Sequence, residues 1–258
     1  MVLAVGLISA ARTYESVRIV GEKSLEEAEV VDGGSGTEND PYVIKDWQID
    51  ASGSDYGLLL KGTDAYILIS ELVVSGARNA NLSLREVENV TVKGCKLKNS
   101  DNGVEVINGK HVELDHNRVT SNKFGISIVK GSRSTIKHNL IRSNKFGIYL
   151  ESVELNEISY NQVEKNSWNG VYVDSTSRTN TFHYNNFIDN QVAPIRAANR
   201  LNNWNGEEAG NYWSDYTGED QDGDGIGDTA FKIPSSQTKV YDYKPLVEPC
   251  SDTYNQVD

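Results

Sequence analysis

The sequence predicts an all-β fold, a right-handed parallel β-helix with three short strands in each stacked unit. In the chain of 258 residues, the nearly identical segments SNKFGISI and SNKFGIYL lie 22 residues apart. Of the 25 asparagines, 23 fall between Asn79 and Asn211, and no proline occurs between Pro41 and Pro194. Because proline lacks a ladder donor and asparagine tolerates the left-handed conformation, this stretch favours continuous backbone ladders joined by tight turns.

The repeat unit is about 22 residues long. Within each unit apolar residues alternate with period two, which predicts strands and not helices. A unit of this size cannot bury its apolar face alone, so successive units must stack. The residues that mark the period are Gly103, Gly125, Gly147 and Gly170, followed in each unit by Asn117, Asn139, Asn161 and Asn185.

Three inward columns of apolar residues are expected to fill the core. The asparagine column is expected at a turn, where side-chain amides one strand spacing apart can hydrogen-bond as an internal ladder. Cys95 occupies this column one unit before Asn117, which predicts a small buried residue and not a reactive or metal-binding thiol. The inward columns are Val104, Ile126, Ile148 and Val171; Val92, Leu114, Ile136, Ile158 and Phe182; and Leu97, Val119, Ile141, Val163 and Phe187.

A column of residues predicted to face solvent contributes one residue from each turn and so predicts about seven turns. At ~4.8 Å between strands, its seven members predict a rod roughly 30 Å long with exposed strand edges at both ends. We therefore divide the chain into an N-terminal segment and cap (1–50), the repeats (51–201) and a C-terminal cap (202–258). The column consists of Leu59, Ser83, Glu105, Ser127, Tyr149, Tyr172 and Arg196.

Charge and composition exclude several classes of protein. The formal net charge of −12 argues against a nucleic-acid partner, because phosphate binding depends on clustered Lys and Arg. The apolar run Val2–Ala11 is far shorter than the ~20 residues that span a bilayer, and it is either the remnant of a secretory signal or part of a cap. Cys95 and Cys250 show neither a disulfide framework nor zinc-ribbon spacing.

The segment DQDGDGIGD, Asp220 to Asp228, predicts a calcium loop. Calcium prefers six to eight oxygen ligands, and carboxylates at alternate positions with a glycine and a backbone carbonyl supply them. Phe231 stands where an EF-hand has a bidentate Glu, so any such ligand must come from elsewhere, with Asp215, Glu219 and Asp242 as candidates. The expected ligands are Asp220, Asp222, Asp224, the carbonyl of Ile226, and Asp228.

Catalytic carboxylates are sparse on the outward columns. Glycoside hydrolysis needs two carboxyl groups roughly 5 to 9.5 Å apart across a groove. Glu113 and Glu157 are expected to face outwards two turns apart with Thr135 between them, and Asp115 is expected to stack between Lys93 and Lys137 as a structural charge ladder. A polysaccharide lyase or hydrolase using Glu105, Asp115, Glu113 or Glu157 is therefore the alternative function, and we assign no catalytic residue.

Outward aromatic residues favour binding of a glycan. Tyr149 and Tyr172 lie on adjacent turns, with Trp168 nearby and Glu105 and Arg196 flanking them. Such a group predicts a platform for sugar rings. Cross-strand stacking that only stabilises an exposed sheet is the competing interpretation.

The Asn-rich units, the sequence GSGTENDPYVI (Gly34–Ile44) and the sequence GNYWSDYTGEDQDGDGIGD (Gly210–Asp228) together resemble the NosD-like β-helix proteins of the pectate-lyase superfamily. The resemblance covers about residues 33 to 246. It implies carbohydrate-binding or sugar-hydrolysing repeats in a secreted or cell-surface protein. The polygalacturonase signatures of that superfamily are missing, which favours a non-catalytic polysaccharide-binding or structural module stabilised by calcium.

The same resemblance raises a role in copper handling or metal-site maturation. Copper delivery favours Met, Cys and His ligands. The chain has one Met, two distant Cys and four His, of which only His116 and His138 share a column. The sequence therefore disfavours this role.

Overall fold

The period-two alternation produces short strands that stack in parallel, as the sequence predicts. We describe a computed structural model of the chain, covering residues 12–191, 201–234 and 239–254, with the backbone alone of residues 193–197. It forms a right-handed parallel β-helix of about seven turns. The one helix of the described residues, α1 (Glu22–Glu26), is a single turn, so this part of the chain has no helix able to cross a membrane.

The strands, in chain order, are β1 (Arg12–Tyr14), β2 (Val17–Val20), β3 (Tyr42–Lys45), β4 (Trp47–Asp50), β5 (Tyr56–Thr63), β6 (Ile67–Ser70), β7 (Val73–Ser75), β8 (Ala80–Lys93), β9 (Lys96–Lys98), β10 (Asn102–Ile107), β11 (Lys110–Asp115), β12 (Arg118–Thr120), β13 (Phe124–Val129), β14 (Thr135–Lys137), β15 (Leu140–Arg142), β16 (Phe146–Glu151), β17 (Glu157–Ser159), β18 (Gln162–Glu164), β19 (Asn169–Val173), β20 (Thr181–His183), β21 (Asn186–Ile188), β22 (Ala193–Ala197), β23 (Tyr212–Trp213), β24 (Phe231–Ile233) and β25 (Val240–Asp242).

The strands form three parallel faces. Sheet A runs β1-β4-β7-β9-β12-β15-β18-β21-β23. Sheet B runs β2-β5-β8-β10-β13-β16-β19-β22, and sheet C runs β3-β6-β8-β11-β14-β17-β20; the long strand β8 belongs to both. Strands β3 and β4 pair with β6 and β7, so the parallel ladders extend into the segment 1–50. Strands β24 and β25 form an antiparallel pair in the C-terminal segment.

The core contains the predicted inward columns. Ile126 pairs with Val104 on one side and with Ile148 on the other, and all three side chains are fully buried. Leu114, Ile136 and Ile158 form the equivalent column of sheet C. Because every strand contributes an apolar residue to the same interior, no single unit has a core of its own.

The asparagine ladder runs along the turn between sheets C and A. The Nδ2 of Asn117 donates to Oδ1 of Asn139 at 2.9 Å, and Asn161 donates to Asn185 in the same way. The backbone N–H of Cys95 donates to Asn117 Oδ1, which places Cys95 in the ladder position predicted for it. Cys95 is fully buried, and this burial raises the pKa of its thiol to about 12, as expected for an unreactive structural cysteine.

The repeated glycine is required by close backbone approach. A Cβ at Gly125 would lie 2.6 Å from the carbonyl oxygen of Gly147 and 2.9 Å from Cγ2 of Ile141. A Cβ at Gly147 would meet the carbonyl oxygen of Gly170 at 2.4 Å. Glycine therefore recurs about every 22 residues because each turn has one position where its backbone lies too close to the next turn for a side chain.

Aromatic rings close the C-terminal end of the core. Trp204 stacks on Phe182 with ring centroids 4.1 Å apart. Trp213 stacks between Phe187 and Phe231 at 4.6 and 4.7 Å. These rings continue two inward columns beyond the last full turn and exclude water from the end of the core.

Candidate functional site

The predicted outward column has the expected register, but its first half is covered. Tyr149 pairs with Ser127 and with Tyr172 in sheet B, and the backbone of Arg196 occupies the next position. Leu59, Ser83 and Ser127 are buried, contrary to the prediction that the whole column faces solvent. Arg85 accounts for part of this, because its Nε donates to Ser83 Oγ at 3.0 Å and the guanidinium lies over that turn.

Glu105 is held by the same arginine. Its Oε2 accepts hydrogen bonds from Arg85 Nη2 at 2.7 Å and from Ser83 Oγ at 2.7 Å. Two strand positions separate Glu105 from Tyr149 in sheet B. The carboxylate predicted to flank the aromatic platform is therefore an ion-pair partner of Arg85. The side chain of Arg196, the other predicted flank, lies outside the described residues.

An aromatic cluster does form around Tyr149. Phe124 and Phe146, which directly precede the repeated glycines, stack with centroids 5.0 Å apart, and Trp168 meets Phe146 edge-on at 5.1 Å. Tyr149 packs its ring edge-to-face against Phe124 at 5.1 Å. We call the five residues Phe124, Phe146, Tyr149, Trp168 and Tyr172 the aromatic cluster.

The two tyrosines stack on each other. The rings of Tyr149 and Tyr172 are 4.8 Å apart and only 4° from parallel. Their facing surfaces are therefore in mutual contact, so these two ring faces are not available to a ligand. The Tyr149 hydroxyl donates to Glu151 Oε2 at 2.8 Å, and burial together with this carboxylate raises the pKa of Tyr149.

Trp168 offers the accessible ring of the cluster. All four tryptophans lie within the described residues, and Trp168 is 44% exposed whereas Trp47, Trp204 and Trp213 are buried. Lys145 Nζ lies 4.5 Å from the centroid of Trp168. Lys123 Nζ lies 5.2 Å from that of Phe124, so the side of the cluster formed by Phe124 and Trp168 carries two ammonium groups, whereas Tyr149 faces the carboxylate of Glu151.

The acidic loop folds into a tight turn around Asp220. Its carboxylate accepts hydrogen bonds from the backbone N–H groups of Gly223 at 2.8 Å, Asp224 at 3.2 Å and Gly225 at 2.9 Å. The hydrogen bond from Gly225 contributes most to lowering the pKa of Asp220. Gly223 and Gly225 have φ of 77° and 87°, which explains why glycine alternates with aspartate here.

Three of the predicted calcium ligands converge. Each of Asp220, Asp222 and Asp224 places a carboxylate oxygen within 4.8 Å of the other two. Asp228 instead accepts from the backbone N–H of Gln221 at 2.9 Å, and Ile226 pairs with Leu246.

Asp242, one of the side chains considered as an additional ligand, belongs to the cap. Its buried carboxylate accepts from the backbone N–H groups of Asn211 and Lys244 at 2.8 and 3.0 Å. It also accepts from Trp213 Nε1 at 2.9 Å. Burial raises the pKa of Asp242 to about 6.

The acids that are candidates for hydrolysis each contact a cationic or imidazole side chain. Glu113 and Glu157 do flank Thr135 in sheet C. Lys137 Nζ lies 2.8 Å from Glu113, and His183 Nε2 lies 3.1 Å from Glu157. Asp115 contacts Lys93 at 3.3 Å, as predicted, whereas Lys137 forms its ion pair with Glu113.

The structure brings together three side chains that the sequence pattern did not connect: Asp115, His116 and His138. His116 Nδ1 and His138 Nδ1 lie 2.6 and 3.1 Å from the same Asp115 oxygen, Oδ1. Burial alone would raise the pKa of Asp115, but hydrogen bonds from His138 and His116 outweigh it and the pKa lies below its ordinary value. The sequence does contain a signal for this cluster, because the dipeptide His-Asn occurs twice, 22 residues apart, and Asp115 directly precedes the first histidine.

The fold and these surfaces define a class: a right-handed parallel β-helix with a partly exposed aromatic cluster and an acidic C-terminal loop. Residues 26–218 match the family described as "Periplasmic copper-binding protein (NosD)", and the chain belongs to that family.

Two curated relatives are each described as "Probable ABC transporter binding protein NosD". Over 63 residues, 24% of this chain, the chain is 40% identical to the protein from Pseudomonas aeruginosa and 38% identical to the one from Stutzerimonas stutzeri. These matches span 15% and 14% of the relatives' own lengths.

Among solved structures, the periplasmic alginate epimerase AlgG superimposes with a TM-score of 0.51 at 18% identity. The superposition covers 66% of this chain and 45% of AlgG. At this identity the similarity is one of fold, and it agrees with the parallel β-helix described above.

Proposed function

We propose that the protein is a non-catalytic polysaccharide-binding module that works outside the cytoplasm and carries a calcium-stabilised C-terminal cap. The observation that carries the proposal is the exposed ring of Trp168, held by Phe146 on one side and accompanied by Lys145 at 4.5 Å. The periplasmic description of the family supports the location.

The chemistry of the aromatic cluster suits sugar rings. An exposed indole provides an apolar face for the C–H groups of a pyranose, and nearby polar groups fix its orientation. The ammonium groups of Lys145 and Lys123 lie beside the rings, so sugars bearing carboxylate or sulfate groups are favoured over neutral ones.

The pairing of the outward acids supports a non-catalytic role. A general acid or nucleophile must be available to the glycosidic bond, with the two carboxyl groups facing each other across it. Glu105, Glu113 and Glu157 each contact a cationic or imidazole side chain. A lyase or hydrolase is the alternative that the experiment below separates.

Calcium at the acidic loop would stabilise the cap. Asp220, Asp222 and Asp224 supply carboxylate oxygens, and the carbonyl of Ile226 and the side chain of Asp228 are the further ligands we propose. Ile226 pairs with Leu246, and Leu246 also bridges to Tyr212 beside the end of the core. A cation in the loop would therefore hold the cap against the last turn.

The family description names copper, and the described residues of this chain offer suitable ligands for cupric copper but not for cuprous copper. Cuprous copper prefers thiolate and thioether ligands. In the described residues Cys95 is fully buried and Cys250 lies elsewhere in the C-terminal segment, so these cysteines form no sulfur site. Cupric copper accepts imidazole and carboxylate ligands, and Asp115, His116 and His138 provide them.

Trp168 provides a direct test of polysaccharide binding. Because the other tryptophans are buried, titration with acidic and neutral polysaccharides should change the fluorescence of Trp168 alone. We expect binding of an acidic polysaccharide, at least about tenfold weaker binding in Trp168→Ala, and weaker binding in Lys145→Ala. The matched control is Tyr243→Ala, since Tyr243 is an exposed aromatic residue outside the cluster.

Products should be assayed in the same samples. Neither reducing ends nor unsaturated products are expected to accumulate. Turnover that is abolished by Glu105→Gln, Asp115→Asn, Glu113→Gln or Glu157→Gln would establish the enzymatic alternative. Equal binding by the wild type and Trp168→Ala would reject the aromatic cluster as the glycan site.

A further inference from the structure

Two histidines on consecutive turns share one carboxylate at the edge of sheet C. Their rings stack with centroids 4.7 Å apart, and Asp115 Oδ1 lies within hydrogen-bond distance of Nδ1 of both His116 and His138. The other oxygen of Asp115 contacts Lys93 at 3.3 Å. A buried carboxylate is thus directed at the Nδ1 atoms of two imidazole side chains that are partly exposed to solvent.

We propose that Asp115, His116 and His138 form a binding site for a divalent transition-metal ion, with cupric copper and zinc as the ions of matching chemistry. Two imidazoles and a carboxylate are ligands that both ions accept. Calcium and magnesium prefer sites made wholly of oxygen, so this site discriminates against them.

The spacing of the three ligand atoms suits such an ion. Ligands bound at ~2.0–2.1 Å in a tetrahedron lie roughly 3.3 Å from one another. In the structure, Asp115 Oδ1 is 2.6 Å from His116 Nδ1 and 3.1 Å from His138 Nδ1. Each of the three residues also places one possible ligand atom within 4.8 Å of a ligand atom of the other two. A metal ion bound by these atoms would take the place of the two hydrogen bonds that now join Asp115 to the imidazoles.

The backbone holds the ligands in place. His116 and His138 both adopt the left-handed conformation, with φ of 54° and 51°, immediately before the buried ladder residues Asn117 and Asn139. Tyr160 stacks on His138 at 5.4 Å and restricts rotation of that ring. Such preorganisation lowers the entropy lost when the ligands are fixed by a metal.

The site is open on one side. The side chains of His116 and His138 are 39% and 26% exposed, whereas that of Asp115 is 7% exposed. Three protein ligands with solvent on the fourth side characterise sites that exchange ligands, whereas structural zinc sites have four protein ligands. The site is therefore suited to reversible uptake and release of the ion.

The column of residues that contains His116 and His138 indicates which substitutions should preserve the fold. Tyr160 and Tyr184 occupy the same column with φ of 56° and 54°, and they stack at 5.0 Å. His116→Tyr and His138→Tyr therefore remove the ligands while keeping a residue type that this position accommodates. The matched control is His111→Ala, because His111 is an exposed histidine paired with one carboxylate, Glu88, at 3.1 Å.

The experiment is a titration of the full chain without an affinity tag, using Cu²⁺ or Zn²⁺ in excess Ca²⁺ so that the acidic loop is occupied. We expect one saturable site, retained in His111→Ala and weakened at least about tenfold in each tyrosine variant. The electron paramagnetic resonance spectrum of bound Cu²⁺ should show coupling to two imidazole nitrogens, and to fewer in either single variant. Circular dichroism checks that the variants fold.

Two results would overturn the proposal. One is a wild-type protein that binds neither ion saturably below about 100 µM, which corresponds to a binding free energy weaker than about −5.5 kcal/mol. The other is a folded His116→Tyr, His138→Tyr double variant that binds the ions as the wild type does. Neither result bears on glycan binding, which is measured separately at Trp168.

Discussion

Asn139 donates two hydrogen bonds to a single atom of Asn161. Its backbone N–H and its Nδ2 reach Asn161 Oδ1 at 3.0 and 2.9 Å. The same Nδ2 lies 2.8 Å from the carbonyl oxygens of Leu114 and Lys137. One buried amide therefore connects three consecutive turns.

Replacing Asn139 by alanine should destabilise the whole β-helix. The backbone N–H of Asn117 would lose its acceptor, and the carbonyl of Leu114 would lose a donor, both in the buried ladder. Each unsatisfied buried group costs about 1–3 kcal/mol, so for two groups we expect a loss of about 2–6 kcal/mol in the free energy of unfolding. Urea denaturation measures it, and Asn79→Ala, at an exposed asparagine, is the control. Equal stability of the two variants would contradict the structural role of the ladder.

Removal of calcium should lower the melting temperature. A ligand that binds only the folded state adds about 2.7 kcal/mol to its stability when present at a hundred times its dissociation constant. We expect the calcium-dependent rise in melting temperature to be reduced in Asp222→Asn and unchanged in Asp101→Asn, an exposed aspartate of the repeats. Melting that is indifferent to EDTA, together with no calcium by elemental analysis, would rule out the site.

The buried Asp242 predicts a pH dependence of stability. Burial raises the pKa of Asp242 from 3.8 to about 6 in the folded state, so the protonated form is favoured there. The associated stability is complete below about pH 4 and is lost as the pH rises through about 6, a change of about 3 kcal/mol. Denaturation between pH 4 and 7 should show this decline relative to Asp242→Asn, in which the group cannot ionise. Parallel pH profiles for the two proteins would show that Asp242 is not the responsible group.

The repeat could be predicted from the sequence because the contacts that require it recur at a constant spacing along the chain. Gly125 recurs as Gly147 since a Cβ would strike the carbonyl of the next turn, and Asn139 recurs as Asn161 since each amide bonds to its neighbour. Both constraints act between residues one period apart, so they appear as a spacing in the chain. The burial of Cys95 followed from the same register.

Only part of the candidate glycan site could be predicted from the sequence. Tyr149 and Tyr172 were correctly placed on adjacent turns, but their face-to-face stacking depends on side-chain rotamers that no spacing specifies. Arg85 covers Ser83 and pairs with Glu105 because a long side chain can fold across a strand. The sequence pattern carries no signal for that choice.

By itself, the sequence determined the fold class, the register of the three faces and the position of the acidic loop. These features follow from periodicity, burial and local loop geometry, which are properties of residue order. The tertiary structure alone decided which charges pair, which aromatic ring is exposed, and that Asp115 serves both His116 and His138. Those outcomes depend on side-chain directions across neighbouring turns, where distances of a few ångströms separate an ion pair from a binding site.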